Sequence, residues 1–298
     1  MQQRLGFATL VMALVGSVHD TKAQTGPYIE VGLGLGLAPP LTAQGSDNDW
    51  GTKCDLIINP SLAEVGNECD TAPPQTSWTN EFDGGSGTEA GLAIGYDWGS
   101  IRLEGEYFHR VTAYDSRVPI NILDDVTLDK REQEIDLAEG MLDDLRSQSL
   151  FVNLYHDFGP AKSSWSPYVG GGLGVERARL DYGTVWKRND DPERIATFVD
   201  PLLRAKVAGT TTIGDARLSS VSIGYQVLGG VDYRLRDPVA VGVKFRWANS
   251  GRFVSEPTPW NQLRSHESSV GRDDTILYQL TTDDNRFWSV SLRLKFWF

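Results

Sequence analysis

The sequence has no apolar run long enough to cross a membrane as a helix, which requires about 20 consecutive apolar residues. The apolar run Leu5–Val15 has eleven residues, so a helical membrane protein is excluded by length. Basic residues are also in the minority, with 28 Lys and Arg against 40 Asp and Glu and a formal net charge of −12. This acidity argues against nucleic acid as a partner, because the electrostatic footprint of nucleic-acid binding is basic.

Histidine and cysteine are scarce, which limits the chemistry available to the chain. The four histidines and two cysteines lack the spacing of metal ligands, and no nucleotide-binding glycine fingerprint or nucleophile elbow is present. Four acidic pairs favour solvation over carboxylate catalysis: Asp124-Asp125, Asp143-Asp144, Asp273-Asp274 and Asp283-Asp284. We therefore expect no enzyme activity, no cofactor and no metal ion. Cys54 and Cys69 are candidates for a single disulfide in an oxidising compartment, and two free thiols are the alternative.

The N-terminal region has the three-part layout of a secretory signal peptide. Arg4 precedes the apolar run Leu5–Val15, and Ala23 is a small residue before Gln24. We expect residues 1–23 to be a cleaved signal peptide. Residues 24–298 are expected to form one domain, because no linker or change of composition divides them.

The last ten residues, Ser289–Phe298, alternate strictly between an apolar face and a polar, basic face. In a transmembrane β-barrel, the apolar face of such a strand contacts lipid and the polar face lines the lumen. The segment resembles the end of bacterial outer-membrane proteins, whose chains typically finish in an amphipathic strand with a terminal Phe. The resemblance implies that Phe296 and Phe298 form a C-terminal signal for the outer-membrane assembly machinery.

Seven further segments alternate in the same way, and each has about the length of a tilted membrane strand. They are residues 27–37, 89–98, 101–110, 148–158, 167–176, 220–235 and 239–248. Together the eight segments predict an all-β fold, an eight-stranded antiparallel transmembrane β-barrel. Short connections alternate with four long ones, 38–87, 112–147, 181–219 and 249–285. Outer-membrane barrels show this asymmetry of short periplasmic turns and long extracellular loops.

The inner faces of these strands carry charges of both signs. Buried charges persist only when they are paired and hydrogen-bonded, so we predict a network of ion pairs that plugs the narrow lumen of an eight-stranded barrel. A pore lining is the alternative, because inward glycines on three strands leave volume for other side chains to fill. The predicted lumen network contains Glu30, Arg102, Glu104, Glu106, Arg110, Asp232, Arg234, Lys244, Arg246, Arg293 and Lys295, and Asp97 and Glu176 also face inward.

Three segments carry a more specific resemblance. They read SPYVGGGLGV at 166–175, GYQVLGGVDYRL at 224–235 and DPVAVGVKFRW at 237–247. These segments look like the strand pattern of small outer-membrane barrels, the group that contains the OmpA-like transmembrane domain, the opacity proteins and the related major surface antigens. The resemblance implies a barrel in the bacterial outer membrane and indicates little about function, because such barrels do many things.

The four long connections are acidic, which leaves two interpretations open. They contact lipopolysaccharide phosphates through divalent cations or meet a basic partner, or their charge only keeps them solvated. In the second connection, Ile135, Ala138, Leu142 and Leu145 recur at helical spacing, which predicts a short amphipathic helix within 129–146.

The function expected from the sequence is that of a non-enzymatic surface protein, of structural, surface-antigen or adhesion type. Its expected partners are outer-membrane lipid, lipopolysaccharide and an extracellular ligand or host surface. A narrow passive porin-like channel is the second hypothesis, and a lipid or peptide hydrolase is the third.

Overall fold

The computed structural model describes residues 25–50, 75–158, 163–259, 261–263 and 276–298. The expected signal peptide and the disulfide candidates Cys54 and Cys69 lie outside these residues. The strands are β1 (Gly26–Leu37), β2 (Leu41–Trp50), β3 (Gln75–Phe82), β4 (Ser86–Asp97), β5 (Ile101–Pro119), β6 (Asn121–Ile122), β7 (Ile135–Asp157), β8 (Trp165–Arg188), β9 (Thr211–Arg236), β10 (Val239–Val254), β11 (Thr258–Pro259), β12 (Asn261–Leu263) and β13 (Leu277–Trp297). The helices are α1 (Asp125–Glu134), a 3₁₀ turn (Pro192–Arg194) and α2 (Pro201–Val207).

Eight long strands form a closed antiparallel ring in the order β1-β4-β5-β7-β8-β9-β10-β13. The last strand pairs back with the first, from Tyr28 opposite Trp297 to Leu37 opposite Trp288. The predicted eight-stranded antiparallel barrel is therefore confirmed. Within the described ranges, no helix is long and apolar enough to span a membrane.

The part of the ring that carries the short turns, which we call the lower barrel, has an apolar outer surface. We call this surface the apolar belt. Leu33, Leu173 and Leu292 on this surface are 71%, 68% and 71% exposed. Such a continuous exposed apolar surface is stable against lipid and not against water. The belt comprises the outward side chains of residues 29–37, 92–107, 150–158, 165–175, 221–235, 241–247 and 288–298.

Aromatic side chains mark both edges of the belt, as is typical of membrane barrels. At the edge with the short turns, the rings of Tyr96 and Trp98 lie 4.8 Å apart, and those of Trp165 and Tyr233 lie 4.7 Å apart. At the opposite edge, Trp247 lies 6.2 Å from Trp288. A strand of ten residues covers about 33 Å at ~3.3 Å per residue, or about 25 Å when it is tilted by ~40°. The belt thus has the height of a bilayer core.

The strands continue well beyond the belt and beyond the predicted segments. β7, β8, β9 and β13 contain 23, 24, 26 and 21 residues. A strand of 24 residues tilted by ~40° rises about 60 Å, more than twice the height of the belt. The additional length forms an upper barrel on the side away from the short turns.

The hydrophobic pattern inverts where the upper barrel begins. On β8, Leu173 and Val175 face outward within the belt, whereas Leu180 and Tyr182 face inward above it. The outer surface contacts lipid below and water above, so the apolar positions change sides. This inversion explains why the alternation within the connections is not recognised as part of the same strands.

The first connection extends the barrel with its own hairpin. β2 pairs with the upper part of β13, and β3 pairs with β2 and with β6. At the junction with the lower ring, the N–H of Ala38 donates to the carbonyl of Gly85 at 2.8 Å. β2 and β3 therefore occupy, in the upper barrel, the places that β1 and β4 occupy in the belt.

The helix predicted within 129–146 is wrong in position and extent. The helix α1 covers Asp125–Glu134, and the following residues form β7. Ala138, Leu142 and Leu145 are buried inside the barrel. A register shift between Leu142 and Leu145 changes the parity of the inward positions. Because of this bulge, the buried residues Ala138, Leu142 and Leu145 are four and three positions apart, which is also the spacing of one face of a helix.

Candidate functional site

The interior of the belt is filled by charged side chains that solvent hardly reaches. Glu30, Glu89, Glu104, Glu106, Lys244, Arg246, Arg293 and Lys295 are each at most 3% exposed. They project from β1, β4, β5, β10 and β13 because they occupy the inward positions of the alternation. We call this set, together with Arg102, Asp157 and Asp232, the lumen network.

Lys244 lies at the centre of the lumen network. Its Nζ is 2.8 Å from Glu30, 3.3 Å from Glu104 and 3.6 Å from Glu106. Tyr28 and Tyr155 donate their hydroxyls to the two oxygens of Glu104 at 2.9 and 2.8 Å. One cation and two phenols therefore hold three carboxylates together.

Two arginines extend the network toward the side away from the short turns. Arg246 contacts Glu106 at 2.6 Å and Glu89 at 3.4 Å. Its guanidinium lies 3.9 Å above the ring of Phe108. Arg293 contacts the same two carboxylates, at 3.0 Å from Glu89 and 3.2 Å from Glu106. Because each carboxylate has two arginine partners, neither charge is left without a counter-charge.

A second group closes the end that carries the short turns. Arg102 bridges Asp157 at 2.8 Å and Asp232 at 3.1 Å. Lys295 joins this group to the centre, since its Nζ contacts Asp232 at 2.5 Å and Glu30 at 3.3 Å. The network therefore runs without interruption from the turn side of the belt to its middle.

The remaining predicted lumen residues lie at the margins. Arg110 approaches Glu176 at 3.7 Å near the edge of the belt away from the short turns, and its guanidinium lies 3.9 Å above the ring of Phe287. Arg234 is half-buried near a short turn, where its N–H donates to the carbonyl of Ser164. The predicted network lacks Glu89 and Asp157, although their inward parity in the alternation marks them as lumen residues.

Inward glycines provide the room for the large side chains of the lumen network. A Cβ at Gly32 would overlap the side chain of Arg293, and one at Gly95 would lie 2.5 Å from the ring of Tyr28. A Cβ at Gly170 would likewise overlap Tyr155. The volume that these glycines leave is thus occupied by neighbouring side chains and is not open to solvent.

Above the lumen network, the interior of the upper barrel is apolar. The rings of Tyr182 and Tyr278 stack at 5.5 Å, and Trp78 lies 5.6 Å from Tyr278. Trp78 donates its Nε1 to the hydroxyl of Tyr182 at 2.9 Å, and that hydroxyl donates to Asn80. We call this layer the apolar plug; its buried members include Ala43, Trp78, Phe82, Leu142, Leu145, Leu180, Tyr182, Leu218, Phe253, Tyr278 and Leu280. Burial in this layer raises the pKa of Tyr182 and of Tyr278.

The groups considered for catalysis are dispersed. His109 and His156 occupy outward positions on β5 and β7, and His266 lies outside the described residues. Asp124 caps α1 by accepting the N–H of Thr127 at 2.7 Å. In the part of the chain that the structure describes, no group of three His, Cys, Asp or Glu is arranged to hold a metal ion.

One family model and several solved structures match this chain. The model of a family described as Opacity family porin protein matches residues 94–273. A search of curated proteins found no match. Among solved structures, OprG from Pseudomonas aeruginosa is similar at 14% identity and a TM-score of 0.42, over 94% of this chain and 99% of that chain. Neisserial surface protein A has 14% identity and a TM-score of 0.40, over 92% and 97%. Ail of Yersinia pestis has 9% identity and a TM-score of 0.31, over 92% and 100%.

Proposed function

Because the chain belongs to the Opacity family of porin proteins, and is thus an outer-membrane β-barrel, we propose that it is a non-enzymatic surface barrel with a closed lumen. Its function in this proposal is carried by the upper barrel, which stands above the outer leaflet. The observation that supports closure most strongly is the contact of Lys244 with carboxylates from both β1 and β5.

The energetics of the lumen network favour the closed state. Opening a path would separate ion pairs that are buried in the lumen, and a buried charge that loses its partner is strongly unfavourable. Any path would also have to pass the apolar plug, whose described members are uncharged and cannot replace the hydration of an ion.

In the described part of the rim, a buried carboxylate joins two of the long connections, which supports a role in surface contact. Glu134 at the end of α1 is fully buried and accepts from the N–H of Thr197 at 2.8 Å and from Arg188 at 2.6 Å. This carboxylate joins the end of α1, in the second connection, to Thr197 in the third connection and to Arg188 at the end of β8. These contacts hold this part of the rim in one arrangement, which lowers the entropic cost of binding a partner there.

The acidic pairs weighed for hydrolysis have structural partners, which supports a non-enzymatic role. Asp144 pairs with Arg146 at 3.0 Å, and Asp284 accepts from Asn249 at 3.1 Å. Asp124 is engaged as the cap of α1. Asp273 and Asp274 lie outside the described residues.

A narrow passive channel is the second candidate, and the description of the family as porins favours it. Single-channel recording in planar bilayers separates the two. We expect the folded, heat-modifiable protein to insert without conductance steps, in membranes where a known porin conducts. Discrete steps whose size changes in Arg246→Gln would overturn the closed barrel and make the channel primary.

A further inference from the structure

Four arginines form a basic patch on the outer surface of this acidic protein. Arg146 lies on β7, Arg177 and Arg179 on β8, and Arg217 on β9, so the patch crosses three adjacent strands. All four side chains are exposed. Arg146 stands directly opposite Arg179 across the β7–β8 pair. Like charges facing each other across strands are destabilising unless a counter-charge lies between them.

The position of the basic patch relative to the apolar belt is well defined. On β8, Arg177 is the next outward residue after Val175, the last apolar residue of the belt on that strand. Arg177 lies opposite Val221 of β9, which is 74% exposed and still belongs to the belt. The basic patch therefore lies at the edge of the belt, at the level where the headgroups of the outer leaflet begin.

The protein itself neutralises only part of this charge. Arg146 pairs with Asp144 at 3.0 Å, and Arg217 pairs with Asp181 at 2.6 Å. Asp144 lies two residues farther from the belt than Arg146 on β7, and Asp181 lies two residues farther than Arg179 on β8, directly opposite Arg217. Arg177 and Arg179 form no ion pair with any described residue. By contrast, Arg286 on β13 has Asp284 at 3.4 Å.

We propose that the basic patch binds the phosphate-bearing headgroup of an outer-leaflet glycolipid. Guanidinium groups bind phosphate through paired, charge-assisted hydrogen bonds. Below the patch, the outward faces of Leu150, Leu173 and Ile223 are 57%, 68% and 79% exposed and offer an apolar surface for acyl chains. A soluble anion would use the arginines alone, whereas a phosphorylated lipid uses both surfaces. The combination of an arginine cluster with an apolar surface beneath it identifies the lipid.

The test is lipid binding measured by native mass spectrometry on the protein purified from outer membranes and exchanged into neutral detergent. The probe is lipid A carrying both phosphates. We expect binding to fall at least tenfold in Arg177→Gln/Arg179→Gln. It should stay within twofold of the wild type in Arg286→Gln, the matched control at a paired arginine. Heat-modifiable migration in gels confirms that each variant is folded.

Two further measurements identify the ligand. Dephosphorylated lipid A, which keeps the acyl chains, should bind at least tenfold more weakly than lipid A to the wild type and equally to the double variant. Inorganic phosphate in hundredfold excess should leave the lipid complex intact. Undiminished binding by the double variant would overturn the proposal. Displacement of the lipid by inorganic phosphate would also overturn it, because the patch would then be a simple anion site.

Discussion

Lys244 on β10 forms an ion pair with Glu30 on β1, two strands away around the ring, with Nζ and Oε1 2.8 Å apart. The intervening strand β13 contributes its own cations, and Arg293 and Lys295 lie 3.9 and 3.3 Å from the same carboxylate. The pair therefore connects strands that share no backbone hydrogen bonds. Ion pairs across the lumen fix the cross-section of the barrel in a way that pairing between neighbouring strands does not.

Replacing Lys244 with Met keeps most of the side-chain volume and removes the charge. We expect the free energy of unfolding in detergent micelles to fall by about 3–5 kcal/mol, because three carboxylates lose a buried counter-charge. Urea unfolding followed by tryptophan fluorescence measures the loss. Lys187→Met is the control, since Lys187 forms an exposed pair with Asp190 at 3.4 Å and should change stability by less than about 0.5 kcal/mol. Equal losses in the two variants would contradict the structural importance of the lumen network.

Two adjacent glycines on β9 test the packing of the lumen. A Cβ at Gly230 would lie 2.5 Å from the hydroxyl of Tyr168 and would overlap the carbonyl of Val243, whereas one at Gly229 lies 3.8 Å from its nearest neighbour. We expect Gly230→Ala to destabilise the barrel by about 1–3 kcal/mol through overpacking. Gly229→Ala should be neutral or slightly stabilising. The same urea titration compares them, and a tolerated Gly230→Ala would indicate a lumen with free volume.

The apolar plug predicts an alkaline limit to stability. Burial raises the pKa of Tyr182 and of Tyr278, which lie above the belt, because the plug favours the neutral phenol. The unfolded chain therefore loses these protons first, at about pH 10. The contribution of these two neutral phenols to the free energy of unfolding is fully present below about pH 10 and declines as the pH rises further.

Tyr182→Phe should make this decline shallower by about 1.4 kcal/mol per pH unit, the contribution of one proton. Unfolding free energies measured between about pH 8 and pH 12 give the slope. Phe82→Leu is the control, because Phe82 lies in the same plug and does not titrate; it should lower stability alike at every pH. A slope that is the same in wild type and Tyr182→Phe would show that the tyrosine ionises in the folded barrel.

The C-terminal aromatic residues predict an effect on assembly. Phe298 is 69% exposed and its ring lies 5.5 Å from that of Phe296, and Leu292 on the same strand is 71% exposed. If the terminal residues are read by the assembly machinery, Phe298→Ala should lower the amount of heat-modifiable barrel in the outer membrane several-fold. Leu292→Ala should leave it nearly unchanged, and both purified variants should unfold alike. Equal assembly of the two variants in cells would refute a signal at Phe298.

The lower barrel is predictable from the sequence because its strands face two different solvents. Alternation along segments such as 289–298 reports lipid on one side and a polar lumen on the other. The same parity indicates which charges face inward, Glu89 and Asp157 included. Local sequence is sufficient here because the environment of each side chain follows directly from its parity.

The upper barrel is not predictable in this way. Its alternation is inverted, since Leu180 and Leu218 face inward where the outside is water. Bulges such as the one between Leu142 and Leu145 interrupt the period further. The pairing of β2 with β13 joins residues more than 230 positions apart, such as Ala43 and Thr282, and no local pattern specifies such a contact.

The sequence by itself therefore determined the strand number, the closed ring in an outer membrane and the face on which each charge lies, because lipid imposes a strict two-residue period. Only the tertiary structure decided which charges meet, that Lys244 is shared by three carboxylates, and that an apolar plug lies above the lumen network. It also placed Arg146 opposite Arg179. Partner and distance depend on the register between strands, which joins residues far apart in the chain.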